Sequence, residues 1–514
     1  MSQIPFLFNV NGSFGCGNSS KPDYYNAAEL IKQMDRLGVD RALVWHLPVG
    51  SNEELMNQIE STPGASDRLI PAYTATVLSG FNSNDIRMIR EAVSSGRIKA
   101  IRIYLVGSHC RLSGLENLVS EIEEFKPLLL LNCREPLNTD DLLNFAGKFP
   151  SVPMVYSEAW HPHYTALLEL MTRRKNIYAD ISWLHTIDAI EDLTERFGAE
   201  RVLFGMGLRS HNGASIGALM RADISEGERE LIGHGNLERL LGIQSSAPLS
   251  KNKSIDYGTL WRKFLKKEPL DVDIVDAHTH LGSRQTIVKV LESMNKLGIN
   301  TLLGIAKNGT GSDPVTGNKE LLDSVGSDTD RISGYYAFNP HYYEKLTPML
   351  DEIFSNPFYI GFKLLNSYWG VRLDDPRFNP MWEYAEKHCL PVLIHTWNDG
   401  YDNPSFLTNI APKYKNVKFL LAHSGGDDQG RLEAEDLAIK NPNVYLEFCG
   451  SFTASIRWED TIQRIGNDRI VYGSDTLGHS MVWELGRLLS LELPEVTLVP
   501  ILGANMRRIL AERR

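Results

Sequence analysis

The stretch Ile274-Val-Asp-Ala-His-Thr-His-Leu-Gly282 runs from an apolar segment into a pair of histidines. A short β-branched run of this kind is typical of a buried parallel strand. Side chains alternate between the two faces of a strand, so His278 and His280 are expected on the same face. Two imidazoles on one face at a strand end indicate a metal-binding strand.

The second half of the chain contains seven more apolar runs, separated from one another by segments of helical pattern. These runs cover residues 301–305, 334–338, 361–365, 391–395, 417–423, 444–448 and 470–475. Regular alternation of strand and helix predicts the parallel sheet of an α/β protein. Eight such units favour closure into a (β/α)8 TIM barrel over an open, doubly wound sheet.

Three other polar residues stand at the ends of predicted strands, namely His395, His423 and Asp475. The carboxyl ends of barrel strands converge on one face, where imidazoles and a carboxylate would form an open, catalytic type of metal site. These donors suit Zn²⁺, with Mn²⁺, Fe²⁺ or Co²⁺ as alternatives. A metal lowers the pKa of its bound water toward ~7. Asp475 is a candidate for both ligand and base, and His423 for a further ligand or a general acid–base.

The 514 residues, with a net charge of −11, have an ordinary globular composition. The acidic balance argues against nucleic acid or an anionic membrane as a partner, so a small-molecule substrate is expected. The first residues lack the basic region of a signal peptide, and no stretch approaches the ~18 apolar residues of a membrane span. Five scattered cysteines fit free thiols in a reducing cytoplasm.

Six segments of the first half match segments of the second half in the same order, at an offset of roughly 260 to 270 residues. Asn176-Ile-Tyr-Ala-Asp180, for example, matches Asn443-Val-Tyr-Leu-Glu447. The repeat has the size of a whole barrel, so we predict two tandem (β/α)8 TIM barrels in residues 1–245 and 271–514. The linker 246–270 includes an amphipathic segment that either docks one barrel on the other or lies on its own barrel's surface.

The second half, from Asp271 to the C-terminus, resembles the amidohydrolase superfamily, and within it the amidohydrolase-related group of metal-dependent hydrolases and decarboxylases. The resemblance is carried by an ordered set of segments: Asp276-Ala-His-Thr-His-Leu-Gly, Gly361-Phe-Lys-Leu, Leu390-Pro-Val-Leu-Ile-His-Thr, Leu420-Leu-Ala-His-Ser-Gly-Gly, Asn443-Val-Tyr-Leu-Glu, Asp468-Arg-Ile-Val-Tyr-Gly-Ser-Asp and Gly503-Ala-Asn. It implies that one metal is held by four residues and that a fifth, His423, acts in catalysis. The four implied ligands are His278, His280, His395 and Asp475.

Four further residues are candidates for the substrate pocket: Lys363, Arg372, Trp397 and Glu447. Lys363 stands where some relatives carry a carboxylated lysine that bridges two metals, but binding of a substrate anion is the favoured role. Arg372 and Trp397 follow predicted strands in loops, where such residues either line a pocket or simply pack. Glu447 is expected to bind substrate or to pair with a cation of the barrel. Cys449 is given no role beyond packing.

The first half departs from this pattern at every ligand position. The residues in place of the histidine pair, Lys363 and Asp475 are Asn11, Ser13, Arg102 and Gly207, and the segments Leu131-Asn-Cys and Tyr156-Ser-Glu near strands 5 and 6 contain no histidine. We predict that this half is a degenerate, metal-free copy without hydrolase activity. It serves either as a structural partner of the second barrel or as a ligand-binding barrel that uses Arg102, Glu158 and Asp180.

The expected activity is hydrolysis of a small lactone, amide or ester by a metal-activated water, with His423 and Asp475 moving protons. The alternative is nonoxidative decarboxylation of a small carboxylic acid, with Lys363 helping to hold the carboxylate. A second alternative is a non-catalytic metal-binding or scaffold protein. We expect contact between the two barrels of one chain, and a homodimer of chains is a further expectation.

Overall fold

The structure is a computed structural model that describes residues 5–17, 22–105, 107, 109–243, 258–450 and 455–514. The chain divides into two compact units, Met1–Tyr257 and Gly258–Arg514. The predicted boundary at residues 245 and 246, together with the first part of the predicted linker, lies outside the described residues.

Short apolar segments of the first unit form eight parallel strands that neighbour one another in sequence order. The strands are β1 (Phe8–Phe14), β2 (Arg41–His46), β3 (Leu69–Thr76), β4 (Ala100–Tyr104), β5 (Leu128–Asn132), β6 (Met154–Ser157), β7 (Ile177–Asp180) and β8 (Val202–Leu203). The helices are α1 (Ala27–Leu37), α2 (Asn52–Ser61), α3 (Ala65–Arg68), α4 (Ser83–Ser94), α5 (Glu116–Ile122), α6 (Thr139–Lys148), α7 (Tyr164–Arg173), α8 (Ala189–Phe197), α9 (Asn212–Arg221), α10 (Glu226–Glu230) and α11 (Asn236–Leu241). The backbone N–H of Val10 donates to the carbonyl of Phe204 at 2.9 Å, which joins the chain after β8 to β1. This unit is therefore a (β/α)8 barrel.

The second unit repeats this architecture. Its strands are β9 (Val275–Leu281), β10 (Thr301–Ala306), β11 (Ile332–Ala337), β12 (Tyr359–Leu364), β13 (Pro391–His395), β14 (Lys418–Ala422), β15 (Val444–Phe448) and β16 (Ile470–Tyr472). The helices are α12 (Gly258–Leu265), α13 (Arg284–Leu297), α14 (Lys307–Gly311), α15 (Pro314–Val325), α16 (Tyr343–Leu346), α17 (Leu350–Ser355), α18 (Asn366–Trp369), α19 (Asn379–His388), α20 (Asp428–Lys440), α21 (Trp458–Ile465), α22 (Met481–Leu489), α23 (Glu495–Val499) and α24 (Asn505–Ala511). The N–H of Asp475 donates to the carbonyl of His278 at 2.8 Å and links the last strand to the first. The prediction of two (β/α)8 TIM barrels is confirmed.

Apolar side chains fill the interior of the second barrel. Buried residues of neighbouring strands, among them Val275, Leu303, Leu393 and Val471, form one cluster with Met506 of α24. Dense packing of this kind makes the barrel a solid core rather than a pore, and leaves the strand ends for polar residues. None of the helices in the described ranges combines the length and apolar character that crossing a lipid bilayer requires.

The amphipathic segment of the predicted linker forms α12, which packs on its own barrel. Its apolar residues Leu260, Trp261 and Phe264 are buried, and the helix contacts α22. The backbone N–H of Leu260 also donates to the side chain of Glu495 in α23. The segment thus lies on the surface of its own barrel, which was one of the two alternatives for it.

The first strand of each barrel contains a β-bulge at the matching place. In β1 the pairing with β2 shifts between Asn9 and Gly12. In β9 the pairing with β10 shifts between Asp276 and Thr279, so that Ala277 and His278 lie within the irregularity. A bulge adds one residue to a strand and re-aims the side chains around it. The direction of the His278 side chain therefore depends on this bulge as well as on strand alternation.

A second feature that both barrels share is a buried asparagine at the start of the last helix. The side-chain amide of Asn236 donates to the carbonyls of Ala199 and Val202 at 2.7 and 2.9 Å. The amide of Asn505 donates to the carbonyls of two residues around the start of β16, those of Asn467 and Ile470, at 2.7 and 2.8 Å. Each asparagine begins the last helix and fixes it to the last strand, because buried carbonyls need donors.

Candidate metal centre

Three of the predicted metal ligands converge where β9 and β16 end. Oδ1 of Asp475 lies 3.4 Å from Nε2 of His278 and 3.3 Å from Nε2 of His280. The donor atoms of these three residues all lie within 4.8 Å of one another. Ligands held by one ion at bond lengths of about 2 Å have separations of this order. We call these three residues the metal cluster.

The charge states of the metal cluster also fit a divalent ion. Burial lowers the pKa of His278 well below its ordinary value, so its imidazole is neutral near pH 7. Burial opposes ionisation of Asp475, but the surrounding histidines, His278 first among them, hold its pKa well below the ordinary value. Neutral imidazole and ionised carboxylate are the forms that bind a metal.

The fourth predicted ligand, His395, stands at the end of β13 beside the metal cluster. Its ring centre lies 4.9 Å from that of His423. Its Nδ1 lies 2.7 Å from Oδ2 of Asp402, a fully buried residue. A carboxylate at Nδ1 fixes the imidazole ring and leaves Nε2 for a metal. Sequence reasoning missed Asp402, because nothing distinguishes it from Asp399 in the same loop.

His423, the predicted acid–base residue, follows β14 and is buried, with its ring centre 5.2 Å from that of His278. Its φ of 60° and the φ of 55° at Asp475 lie in the left-handed region, which non-glycine residues rarely adopt. Strained backbone of this kind is concentrated at functional sites. Burial lowers the pKa of His423 well below its ordinary value, so this imidazole is also neutral near pH 7.

Lys363 of β12 reaches the metal cluster from a fully buried position, and its Nζ lies 3.2 Å from Nε2 of His278. Burial lowers the pKa of this amine to about 8, although Asp475 and Glu447 act to raise it. An amine with this pKa is available as a cation for a substrate anion and, after losing its proton, as a site for carboxylation. Both predicted roles of Lys363 stay predictions.

Glu447, a predicted substrate-binding residue, is fully buried and bonded to the protein itself. Its Oε2 accepts hydrogen bonds from the His423 backbone N–H at 3.1 Å and from Sγ of Cys449 at 3.0 Å. Burial raises the pKa of Glu447 to about 8. Cys449, predicted only to pack, has its Sγ 3.5 Å from Nδ1 of His278. Sequence reasoning missed the contact of Cys449 with His278 because it joins segments that are far apart in the chain.

The two loop residues predicted to line the pocket have different positions. The ring centre of Trp397 lies 6.3 Å from that of His395 and 6.2 Å from that of His423, so Trp397 borders the site. The Arg372 side chain is 54% exposed and forms an ion pair with Asp374 at 2.7 Å. In this structure Arg372 is therefore engaged away from the metal cluster.

A row of buried polar side chains next to Asp475 was not predicted. Nε2 of His479 lies 3.9 Å from Oδ2 of Asp475, and its Nδ1 lies 2.9 Å from Oε1 of Glu484. Glu484 also pairs with Arg487 at 2.9 Å. The spacing of three residues in α22 could have suggested the Glu484–Arg487 pair. The sequence contains no signal that connects this pair with Asp475.

The first barrel fills the matching place with side chains that bond to one another. Asn11, the counterpart of His278, donates to Oε1 of Glu158 at 2.9 Å and to Oγ of Ser182 at 3.0 Å. Nη1 of Arg134 lies 3.3 Å from Oε2 of Glu158. Buried Arg102, the counterpart of Lys363, forms an ion pair with Glu135. We call these residues the paired-charge cluster.

Several solved structures share similarity with about half of the chain. A 5-carboxyvanillate decarboxylase from Novosphingobium aromaticivorans, complexed with manganese and 4-hydroxy-3-methoxy-5-nitrobenzoic acid, is 13% identical over 47% of this chain and 96% of its own, with a TM-score of 0.38. A 2,6-dihydroxybenzoate decarboxylase from Rhizobium is 15% identical over 47% and 99%, with a TM-score of 0.38. An uncharacterized TIM-barrel protein from Bordetella bronchiseptica is 16% identical over 46% and 98%, with a TM-score of 0.37. No curated protein matches the sequence.

The sequence model of one family matches both halves of the chain, at residues 33–243 and 313–511. The description of that family is amidohydrolase. The second matched segment contains His395, His423 and Asp475, whereas His278 and His280 precede it. Since the two segments together cover more than half of the residues, the chain belongs to the amidohydrolase family of enzymes.

Proposed function

We propose that the second barrel is a metal-dependent hydrolase that acts on a small carbonyl substrate, a lactone, amide or ester. The observation that carries this proposal is the convergence of His278, His280 and Asp475 at the strand ends of a closed barrel. His395 would complete the ligand set, since Asp402 orients its ring. A set of three imidazoles and one carboxylate favours one Zn²⁺, with Mn²⁺, Fe²⁺ or Co²⁺ as alternatives.

A divalent ion at these ligands supplies Lewis acidity, which polarises a carbonyl and makes water more acidic. The protein would supply the proton transfers. Asp475 is ionised, so it can take a proton from the attacking water, and the neutral imidazole of His423 can take up a proton and then release it at the substrate. Trp397 would form an apolar wall of the pocket beside His395 and His423.

A second candidate function is nonoxidative decarboxylation of a small carboxylic acid, and the position of Lys363 favours it. Its Nζ contacts the metal cluster and lies 3.2 Å from Nε2 of His278. A buried cation there would hold the carboxylate that leaves as carbon dioxide, and His423, after taking up a proton from water, would deliver it to the carbon. The two reactions differ in their products, so substrate screening separates them.

For the first barrel we propose a metal-free copy that arose by duplication of the second and serves as its structural partner. Its paired-charge cluster supports this role, because Glu158 satisfies both Asn11 and Arg134 without a ligand. We take residues 1–245 and 271–514 as the two domains and residues 246–270 as their linker. Free cysteines support a cytoplasmic location.

Elemental analysis of the purified full-length protein tests the metal site. We expect about one equivalent of a divalent metal in the wild type and its loss in the double variant His278→Ala/His280→Ala. The matched control is Asn11→Ala/Ser13→Ala in the first barrel, which should keep the metal. A wild type that binds no metal after reconstitution would overturn the proposal and leave a scaffold protein. Release of carbon dioxide from carboxylic acids, with no hydrolysis of lactones, amides or esters, would select the decarboxylase.

A further inference from the structure

The carboxylate of Glu447 makes three contacts through one oxygen. Oε2 accepts from the His423 N–H at 3.1 Å and from Cys449 Sγ at 3.0 Å, and it lies 3.3 Å from Nδ1 of His278. The side chains of Glu447, His278 and Cys449 have no exposed surface. Because neither water nor substrate competes for a fully buried oxygen, Glu447 acts on the protein itself.

The two ring nitrogens of His278 face different groups. Nε2 faces the metal cluster, 3.4 Å from Oδ1 of Asp475, whereas Nδ1 faces Glu447. An imidazole that donates a proton from Nδ1 carries its lone pair on Nε2, as a metal ligand must. Oε2 of Glu447, as the hydrogen-bond acceptor at Nδ1, therefore sets both the tautomer and the ring orientation that the metal cluster needs.

The first barrel shows which contact of Glu447 is common to both barrels and which occurs only with His278. Asp180 stands at the position of Glu447, and its Oδ1 accepts from the backbone N–H of Glu158 at 3.2 Å, which matches the bond from His423 to Glu447. Asn11 instead bonds to Glu158 and Ser182. The backbone bond is thus common to both barrels. The contact with the side chain of the first strand belongs to the barrel that has His278.

We propose that Glu447 is a positioning residue that orients His278 for metal binding, and not the substrate-binding residue that the sequence suggested. The inference rests on the proposed metal site. It predicts that the length of the Glu447 side chain matters, since aspartate would keep the bond to His423 and lose the reach to His278. Cys449, which donates to Glu447, is expected to be replaceable by another donor, as Ser182 stands at its place in the first barrel.

The test compares Glu447→Asp, Glu447→Gln and the control Cys449→Ser with the wild type in the full-length protein. We would measure Zn²⁺ affinity by competition with a chelator and record the absorption spectrum of the Co²⁺-loaded protein. Glu447→Asp should bind Zn²⁺ about 10- to 100-fold more weakly. Its Co²⁺ spectrum should change, while the apoprotein unfolds at the wild-type temperature. Glu447→Gln should lose less of the Zn²⁺ affinity than Glu447→Asp, since its amide oxygen can still accept from Nδ1. Cys449→Ser should bind Zn²⁺ like the wild type.

Three outcomes would overturn the inference. Wild-type affinity and spectrum in both Glu447 variants would show that His278 is oriented without Glu447. Two equivalents of metal in the wild type, one of them lost in Cys449→Ser, would instead assign Glu447, Cys449 and His423 to a second ion, because one donor atom from each of them and one from His278 lie within 4.8 Å of one another. A wild type without metal would refute the proposed function itself, and this result is visible before any variant is made.

Discussion

The two barrels keep the same backbone geometry around different side chains. Glu158 in the first barrel has a φ of 59°, and His423 at the matching position has a φ of 60°. Both first strands carry a bulge at the same place, and Asn236 and Asn505 fix the last helix in the same way. The barrel scaffold is therefore specified separately from the metal ligands. A barrel of this kind can lose its ligands and keep its shape.

The difference lies in how buried polar groups find partners. In the second barrel His278, His280 and Asp475 offer donor atoms that an ion can satisfy. In the first barrel Glu158 pairs with Arg134 and accepts from Asn11, so the charges satisfy one another. Buried charges are costly unless they are paired or bound to a metal, and each barrel uses one of these two solutions.

The largest effect is expected when the second barrel is given a first-barrel residue. Asp475→Gly places the counterpart of Gly207 at the end of β16 and removes the proposed ligand and the proposed base together. We expect loss of the bound metal and a fall in kcat of at least about 100-fold. Metal analysis and steady-state kinetics would measure both. Retention of metal and activity would mean that Asp475 is not part of the site.

The substitution Glu158→Ala in the first barrel is expected to lower stability without changing metal binding or activity. This change leaves Asn11 and Arg134 without their shared acceptor, so the free energy of unfolding should fall by about 1 to 3 kcal/mol. Metal content and kcat should not change. Urea unfolding measures the change in stability, and metal analysis and steady-state kinetics on the same samples measure the other two quantities. The control is Glu91→Ala, which removes an exposed ion pair with Arg87 and should cost less than about 0.5 kcal/mol.

The pH dependence of stability provides a smaller and more specific test. Burial raises the pKa of Asp180 to about 7 from an ordinary value of 3.8. The folded state therefore binds more protons than the unfolded state between these values, and stability falls as the pH rises from about 4 to about 7. Asp180→Asn should flatten that part of the curve of unfolding free energy against pH. An unchanged slope would show that Asp180 does not carry this dependence.

The smallest effect is expected for Arg372→Ala. Its side chain is exposed and paired with Asp374, so its removal should change KM by less than about fivefold. Lys363→Ala should have a much larger effect on KM or kcat, because this amine lies beside His278. A larger effect of Arg372→Ala would indicate that the loop after β12 moves over the substrate.

The sequence was sufficient for the parts of the site that depend on local pattern. Apolar runs followed by His278, His395 or Asp475 indicated the strands and the ends at which polar side chains would meet. The contacts of Glu447 with His278 and of Asp402 with His395 could not be predicted in this way. The first depends on the register between strands far apart in the chain. The second depends on a loop that turns back toward its own strand.

The bulge in β9 affects the position of His278 through the number of residues in the strand. Deleting Ala277 would leave every proposed ligand in the chain and would remove the extra residue, so that Asp276 and Thr279 would pair with Leu302 and Gly304 in regular alternation. His280 would keep its place opposite Ile305, whereas His278 would lose the bulged backbone that aims its side chain. The position of one proposed ligand thus depends on a single extra residue of backbone, a dependence that no substitution of a ligand side chain would reveal.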